Sequence, residues 1–220
     1  MNDQLTAADG HRFDAYLATP SAAPRGALVV VQEIFGVNSH VRSIADGFAA
    51  DGYLAIAPAL FDRVERGVEL GYGEADIQRG FALKTVAGNE HPLLDIAAAM
   101  ARVGGAGKVG VVGYCWGGLL SWLAACRLDG LAASIAYYGG GVPGQASLQP
   151  RCPVLAHFGD RDSHIPLDTV ESFRAVQPGV TVHLYPAPHG FNCDQRASYD
   201  AASAALARER TLAFLRRHVG

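Results

Sequence analysis

Lys108-Val109-Gly110-Val111-Val112-Gly113-Tyr114-Cys115-Trp116-Gly117-Gly118-Leu119-Leu120-Ser121-Trp122-Leu123-Ala124-Ala125 is the stretch that decides how this chain folds. Residues 108–112 read as a buried strand and residues 119–125 as a packed helix. Glycines on both sides of the turn permit a sharp strand-to-helix reversal, which holds Cys115 in a strained, exposed pose at the helix start. A thiol there gains acidity from the helix N-terminus. Free N–H groups of the first turn can receive the oxygen of a carbonyl under attack.

Two later strands carry matching chemistry. Residues 153–158 read as a buried strand that opens into Gly159-Asp160-Arg161-Asp162-Ser163-His164-Ile165-Pro166. Residues 180–185 read as the next strand and open into Pro186-Ala187-Pro188-His189-Gly190-Phe191. Side chains at the carboxyl ends of parallel strands converge on one crevice. Nucleophile, acid and histidine in that chain order match an elbow-type triad. Cys115, Asp162 and His189 are therefore the expected nucleophile, orienting acid and base.

Strand and helix patterns alternate along the rest of the chain. A hairpin is expected near Leu5 and over residues 12–18, turning at Asp9-Gly10. Residues 27–32 read as the first central strand, 38–51 as its helix and 53–57 as the next strand. Residues 59–89 are less regular and cap one side of the site, with a helix over 74–86. Helix 92–103 leads to the elbow, strand 131–138 follows it, and helix 197–218 closes the chain. This alternation predicts an α/β fold: a mainly parallel sheet with helices on both faces, one domain over residues 1–220.

The chain resembles the dienelactone hydrolases, cysteine-nucleophile members of the α/β-hydrolase superfamily. The residues that carry the resemblance are Gln32-Glu33-Ile34-Phe35-Gly36-Val37-Asn38, Gly113-Tyr114-Cys115 with Gly117-Gly118, the Gly159…Asp162…Ile165-Pro166 loop, His189-x-Phe191 and Glu209-Arg210-Thr211-Leu212-x-Phe214-Leu215. It implies a carboxymethylenebutenolidase-like lactonase or esterase that opens the ring of a small anionic diene in bacterial catechol breakdown. It also implies that Glu33 switches the cysteine between a neutral thiol and an activated thiolate. A nearby carboxylate disfavours an unpaired thiolate and can accept its proton. The Ile34 and Trp116 N–H groups are implied as the oxyanion hole.

For the substrate's carboxylate the resemblance implies two arginines. Gln78-Arg79 with Lys84 fits the first, which makes Arg79 a candidate anchor. Cys193 stands where the second is expected, and Arg196 lies a turn or less beyond it. Tyr138, at the end of strand 131–138, is a candidate substrate contact as well as a packing residue.

Composition excludes several classes. Over 220 residues, 18 basic and 21 acidic side chains are scattered, for a formal net charge of −3, so neither nucleic acid nor an anionic membrane is an expected partner. Met1-Asn2-Asp3-Gln4-Leu5-Thr6 lacks the basic and apolar regions of a secretion signal, and the expected location is the cytoplasm. A monomer or small homo-oligomer acting on a small lactone or ester is expected. No cofactor and no metal are expected. The four cysteines have no CxxC spacing and read as free thiols, Cys126 in the core. His157, Asp160, Asp162, His164 and His183 are closely placed potential ligands, but His157 lies inside a buried strand and Asp162 belongs to the triad loop. His11, His40, His91, His164 and His218 read as surface residues. A thiol-based redox protein would also want an accessible acidic cysteine, without needing Asp162 and His189. A non-catalytic binding module on this fold would be expected to have lost triad members.

Overall fold

The computed structural model describes residues 2–220. These residues form one eight-stranded sheet of order β1-β2-β4-β3-β5-β6-β7-β8. The hairpin strands β1 (Asn2–Thr6) and β2 (Arg12–Ala18) pair antiparallel, and β2 joins β4 (Leu54–Pro58) antiparallel. From β4 onward every pairing is parallel, through β3 (Ala27–Val31), β5 (Val109–Tyr114), β6 (Leu131–Tyr137), β7 (Val154–Gly159) and β8 (Thr181–Tyr185). Strands β3, β5 and β7 are buried along their whole length, as apolar runs covered on both faces should be.

Helices α1 (Ser39–Ala50), α2 (Glu74–Ala87), α3 (His91–Val103), α4 (Trp116–Arg127), α5 (Leu167–Val176) and α6 (Ala201–His218) fill the connections. Asn38 caps α1, its side-chain oxygen accepting from the Val41 N–H at 3.2 Å. Its amide nitrogen donates to the Leu70 carbonyl and to the Tyr72 hydroxyl, each at 3.1 Å, which ties the irregular 59–73 segment to the end of β3. Helix α6 begins at Ala201 and not at 197, because Asp200 accepts from the Ser203 N–H at 2.8 Å and fixes the cap there. Helix α5 is not among the expected elements. Only Val170 and Phe173 of its ten residues are buried, too thin an apolar stripe to read from periodicity.

Chain direction along the sheet diverges between β3 and β5, since β3 leads outward to β4 on one side while β5 leads to β6 on the other. Loops leaving these two neighbours splay apart and open the crevice in which doubly wound sheets bind ligands. The elbow at β5 demands close packing. A Cβ on Gly113 would meet the Gly117 carbonyl oxygen at 1.9 Å and Ser121 Oγ at 2.3 Å. Gly113→Ala is therefore expected to lower unfolding free energy by about 2–4 kcal/mol, as overpacking against rigid backbone does. Gly144, where an added Cβ would have nothing within 4 Å, should tolerate alanine to within about 0.5 kcal/mol. Denaturant melts of the two variants check the contrast.

Candidate active site

Cys115 sits between β5 and α4 with φ 54° and ψ −114°, a left-handed conformation that side chains rarely adopt. The strain is imposed by packing. A Cβ on Gly117 would lie 2.4 Å from the Val31 carbonyl oxygen and 2.5 Å from that of Gln32, so the first turn of α4 is pressed against the end of β3. Cys115 itself is partly exposed.

The loops after β7 and β8 are laced together. The Asp160 N–H donates to the Tyr185 carbonyl at 2.8 Å and the Arg161 N–H to the Ala187 carbonyl at 3.2 Å. This lacing sets Asp162 against His189: Oδ2 of the buried carboxylate lies 2.7 Å from Nδ1, and Oδ1 accepts from the His164 N–H at 2.8 Å. The Cys115 side chain is the second group that acts on the ring and favours its protonated form. Burial pulls the imidazole pKa down, but the bonds to Asp162 and Cys115 outweigh it and push His189 up to about 10. The structure thus brings the three expected residues, Cys115, His189 and Asp162, into one chain of contacts. Asp160 stays outside it, in the exposed part of the loop, 3.9 Å from Arg161 Nε.

Glu33 lies two residues past the end of the neighbouring strand β3. Val31 and Gly113 are register partners, so Glu33 and Cys115, each two residues further on, leave adjacent strand ends side by side. The Glu33 side chain is 1% exposed, and neither of its oxygens accepts a hydrogen bond. Its cationic neighbour is Arg196, with Nη1 3.6 Å from Oε1. The Arg196 guanidinium also lies over the rings of Phe35 and Tyr72, 5.6 and 5.8 Å from their centroids. Cys193 is fully buried, and burial together with the Glu33 charge pushes its thiol up to about 11.

Trp116 is the first residue of α4, where an N–H has no intrahelical acceptor. Its ring stacks on Phe61 at 5.4 Å, and its Nε1 donates to Asn89 Oδ1 at 2.9 Å, so the side chain serves packing. Ile34 is likewise buried, its carbonyl pressed against Gly80 of α2, where a Cβ would stand 2.2 Å away. Tyr138 is buried at φ 36°, its ring 5.1 Å from that of His189 and its hydroxyl without a hydrogen-bond partner. Burial, and then Glu33, raise its pKa well above the ordinary tyrosine range, so the phenol keeps its proton.

Arg79 lies on the exposed face of α2 in an ion pair with Glu65. The ligand-rich set around His157 does not assemble as a metal site. His157 spends both ring nitrogens in the core, Nδ1 on the Tyr185 hydroxyl at 2.7 Å and Nε2 on Thr211 Oγ1 at 3.0 Å. His40, expected at the surface, is 4% exposed with Nδ1 3.1 Å from Asp194 Oδ1. The signal that could have found it is helical phase: His40 stands eight residues before buried Phe48 on one face of α1. A cavity of about 690 Å³ opens between α1 and α6, with His40, Tyr114, Asp194 and Arg208 in its walls. Cys115, Asp162 and His189 are not part of that lining. No helix among the described residues is long and apolar enough to cross a membrane.

The family model of the dienelactone hydrolase family matches residues 13–219. A carboxymethylenebutenolidase of Pseudomonas putida is 35% identical, over 94% of this chain and 92% of its own. A Synechocystis protein provisionally given the same name is 37% identical, over 86% of this chain and 85% of its own. Among solved structures, a provisionally assigned dienelactone hydrolase of Klebsiella pneumoniae superposes with a TM-score of 0.86 at 31% identity, covering 99% of both chains. With an eight-stranded α/β-hydrolase sheet and a match running from β2 to the end of α6, the chain belongs to the dienelactone hydrolase family.

Proposed function

We propose that this family member hydrolyses a small lactone or carboxylic ester with Cys115 as nucleophile, His189 as base and Asp162 as the group that orients His189. The observation that carries this reading is the imidazole held between a buried carboxylate and a thiol at a strained elbow. His189 takes the thiol proton, and sulfur attacks the acyl carbon. Negative charge develops on the acyl oxygen where the Ile34 and Trp116 N–H groups receive it. Collapse expels the ring or ester oxygen, which takes the proton from His189. Water, deprotonated by the same imidazole, then releases the acid from the thioester. Protons and electrons balance within these residues and water, so the reaction needs no cofactor. Alkylation by iodoacetamide should abolish hydrolysis of p-nitrophenyl acetate. Activity that survives quantitative alkylation of Cys115 would refute the reading.

The relatives named carboxymethylenebutenolidase point to a lactone that carries a carboxylate. Arg196 is the better placed of the two candidate anchors, since it leans over Phe35 and Tyr72 toward Glu33, whereas Arg79 is engaged with Glu65 at the surface. An incoming carboxylate competes with Glu33 for Arg196, and the released Glu33 is free to relay the Cys115 proton to His189. Arg196→Gln should therefore raise KM for an acidic lactone about ten- to a hundredfold, the loss of a charge-assisted contact of roughly 1.5–3 kcal/mol. Arg79→Ala should stay within about threefold. Kinetics on a matched acidic and neutral substrate pair test this: an equal loss on both substrates in Arg196→Gln would make Arg196 structural.

A further inference from the structure

A second group of chemistry-bearing side chains stands behind the nucleophile, and the hydrolytic steps use only one of its members. One ligating atom each from Glu33, His40 and Cys193 lie within 4.8 Å of one another, and all three residues are buried. They come from three separate places in the chain: the loop after β3, the first turn of α1 and the loop after β8.

Hydrogen-bond accounting leaves this group unfinished. Neither Glu33 oxygen accepts a hydrogen bond, and His40 Nε2 has no partner. Buried polar atoms in native proteins are almost always satisfied, and orphans gathered at one point call for a missing partner. A cation fits that place, because a carboxylate and the lone pair of a neutral imidazole nitrogen are both electron-pair donors to a metal. Asp194 Oδ1 lies 3.1 Å from Nδ1, and in the tautomer that places the proton on Nδ1 the other ring nitrogen is a bare lone pair. A carboxylate behind the far nitrogen is how metal-binding histidines are oriented and made more basic.

Imidazole, thiolate and carboxylate together suit a borderline-soft divalent ion and not magnesium or calcium, which demand oxygen. Arg196 does not forbid it. A carboxylate has two oxygens, so an ion held by one leaves the other to the guanidinium. One member of the set borders open space, because His40 lines the 690 Å³ cavity between α1 and α6 together with Asp194.

We propose that Glu33, His40 and Cys193 form a binding site for a zinc-class divalent cation, and that its occupation withholds Glu33 from Cys115 and shuts hydrolysis down. Binding expels the Cys193 thiol proton to solvent and leaves thiolate on the metal. The shut-down rests on the reading of Glu33 and Cys115 given above, whereas the site itself does not.

Cobalt(II) is the probe, read in a Cys115→Ala protein so that the rival pair Cys115 and His189 cannot bind it. One equivalent should produce a near-ultraviolet thiolate-to-cobalt charge-transfer band and raise the Tm. Adding Cys193→Ser should remove the band. Adding His40→Gln instead should weaken cobalt binding at least tenfold, with thermal unfolding confirming that each variant is folded before metal is added. Absence of the band in Cys115→Ala, or its survival in Cys115→Ala/Cys193→Ser, would overturn the site. In the protein with Cys115 intact, zinc should inhibit ester hydrolysis reversibly to EDTA, and Cys193→Ser should need at least tenfold more zinc for the same inhibition. Equal zinc sensitivity in the two proteins would place the metal at Cys115 and His189 and overturn the shut-down. If the unmodified protein hydrolyses no ester at all, the catalytic reading fails, while the cobalt band still decides the site.

Discussion

Cys115→Ala is expected to lower hydrolysis of an activated ester by about 10⁴-fold or more, a barrier increase of about 5.5 kcal/mol. The size follows from what remains. His189 and Asp162 would still be paired and the Trp116 N–H still at the start of α4, but no atom is left to form the acyl intermediate, and water would have to attack directly. The fold should survive, because alanine keeps the Cβ already accommodated at φ 54° and removes only a sulfur that is partly exposed. Cys115→Ser should fall between the two, since a hydroxyl needs a stronger base than the thiol it replaces. Rates within about tenfold of the unmodified protein, a change of only about 1.4 kcal/mol, would show that Cys115 is not the nucleophile.

The second large effect concerns the acid. Asp162→Asn should reduce kcat by about 10³- to 10⁴-fold, because an amide facing Nδ1 favours the wrong tautomer and cannot stabilise an imidazolium. Asp160→Asn should change kcat by less than about threefold, as its carboxylate is exposed and outside the His189 contacts. The reverse ranking would reassign the acid. Stability carries a second signature. His189 is raised from an ordinary value of 6.5 to about 10, so its ion pair stabilises the fold in full below about pH 6.5 and loses that contribution as pH rises through about 10. The stability difference between Asp162→Asn and the unmodified protein should therefore be widest at mildly acidic pH and shrink toward pH 10, a trend that chemical denaturation across pH reads directly.

Much of this was legible in the residues because it depends on strand ends. A buried run followed by a short polar loop places its first chemistry-bearing side chains at the sheet's carboxyl edge, which is how Cys115, Asp162 and His189 could be gathered before any coordinates, whereas Glu33 entered only through the family resemblance. The choice of Asp162 over Asp160 rests on the family pattern of Ile165-Pro166, and the lacing of the β7 and β8 loops supplies its physical basis. What escaped depends on contacts between distant segments. His40 and Asp194 meet across 154 positions, and a histidine in the polar sequence Asn38-Ser39-His40 resembles a surface residue until α1 is docked. The inward lean of Arg196 has the same character: Gly190, at φ 76°, clears space that any Cβ would take, meeting Arg196 Nη1 at 2.5 Å. Arg79 is the converse case, a residue singled out by the family resemblance whose exposed position and ion pair with Glu65 are seen only once the helix is seated.

The most direct test of the central claim is to catch the acyl group on sulfur. The protein is mixed with p-nitrophenyl acetate, quenched in acid within the first turnover and digested, and the peptides that carry Cys115, Cys126, Cys152 and Cys193 are weighed. Cys115 should bear one acetyl group at an occupancy that matches the burst of p-nitrophenol, and the label should disappear as turnover completes. Acetyl on another residue, or a burst with Cys115 unlabelled, would contradict the account.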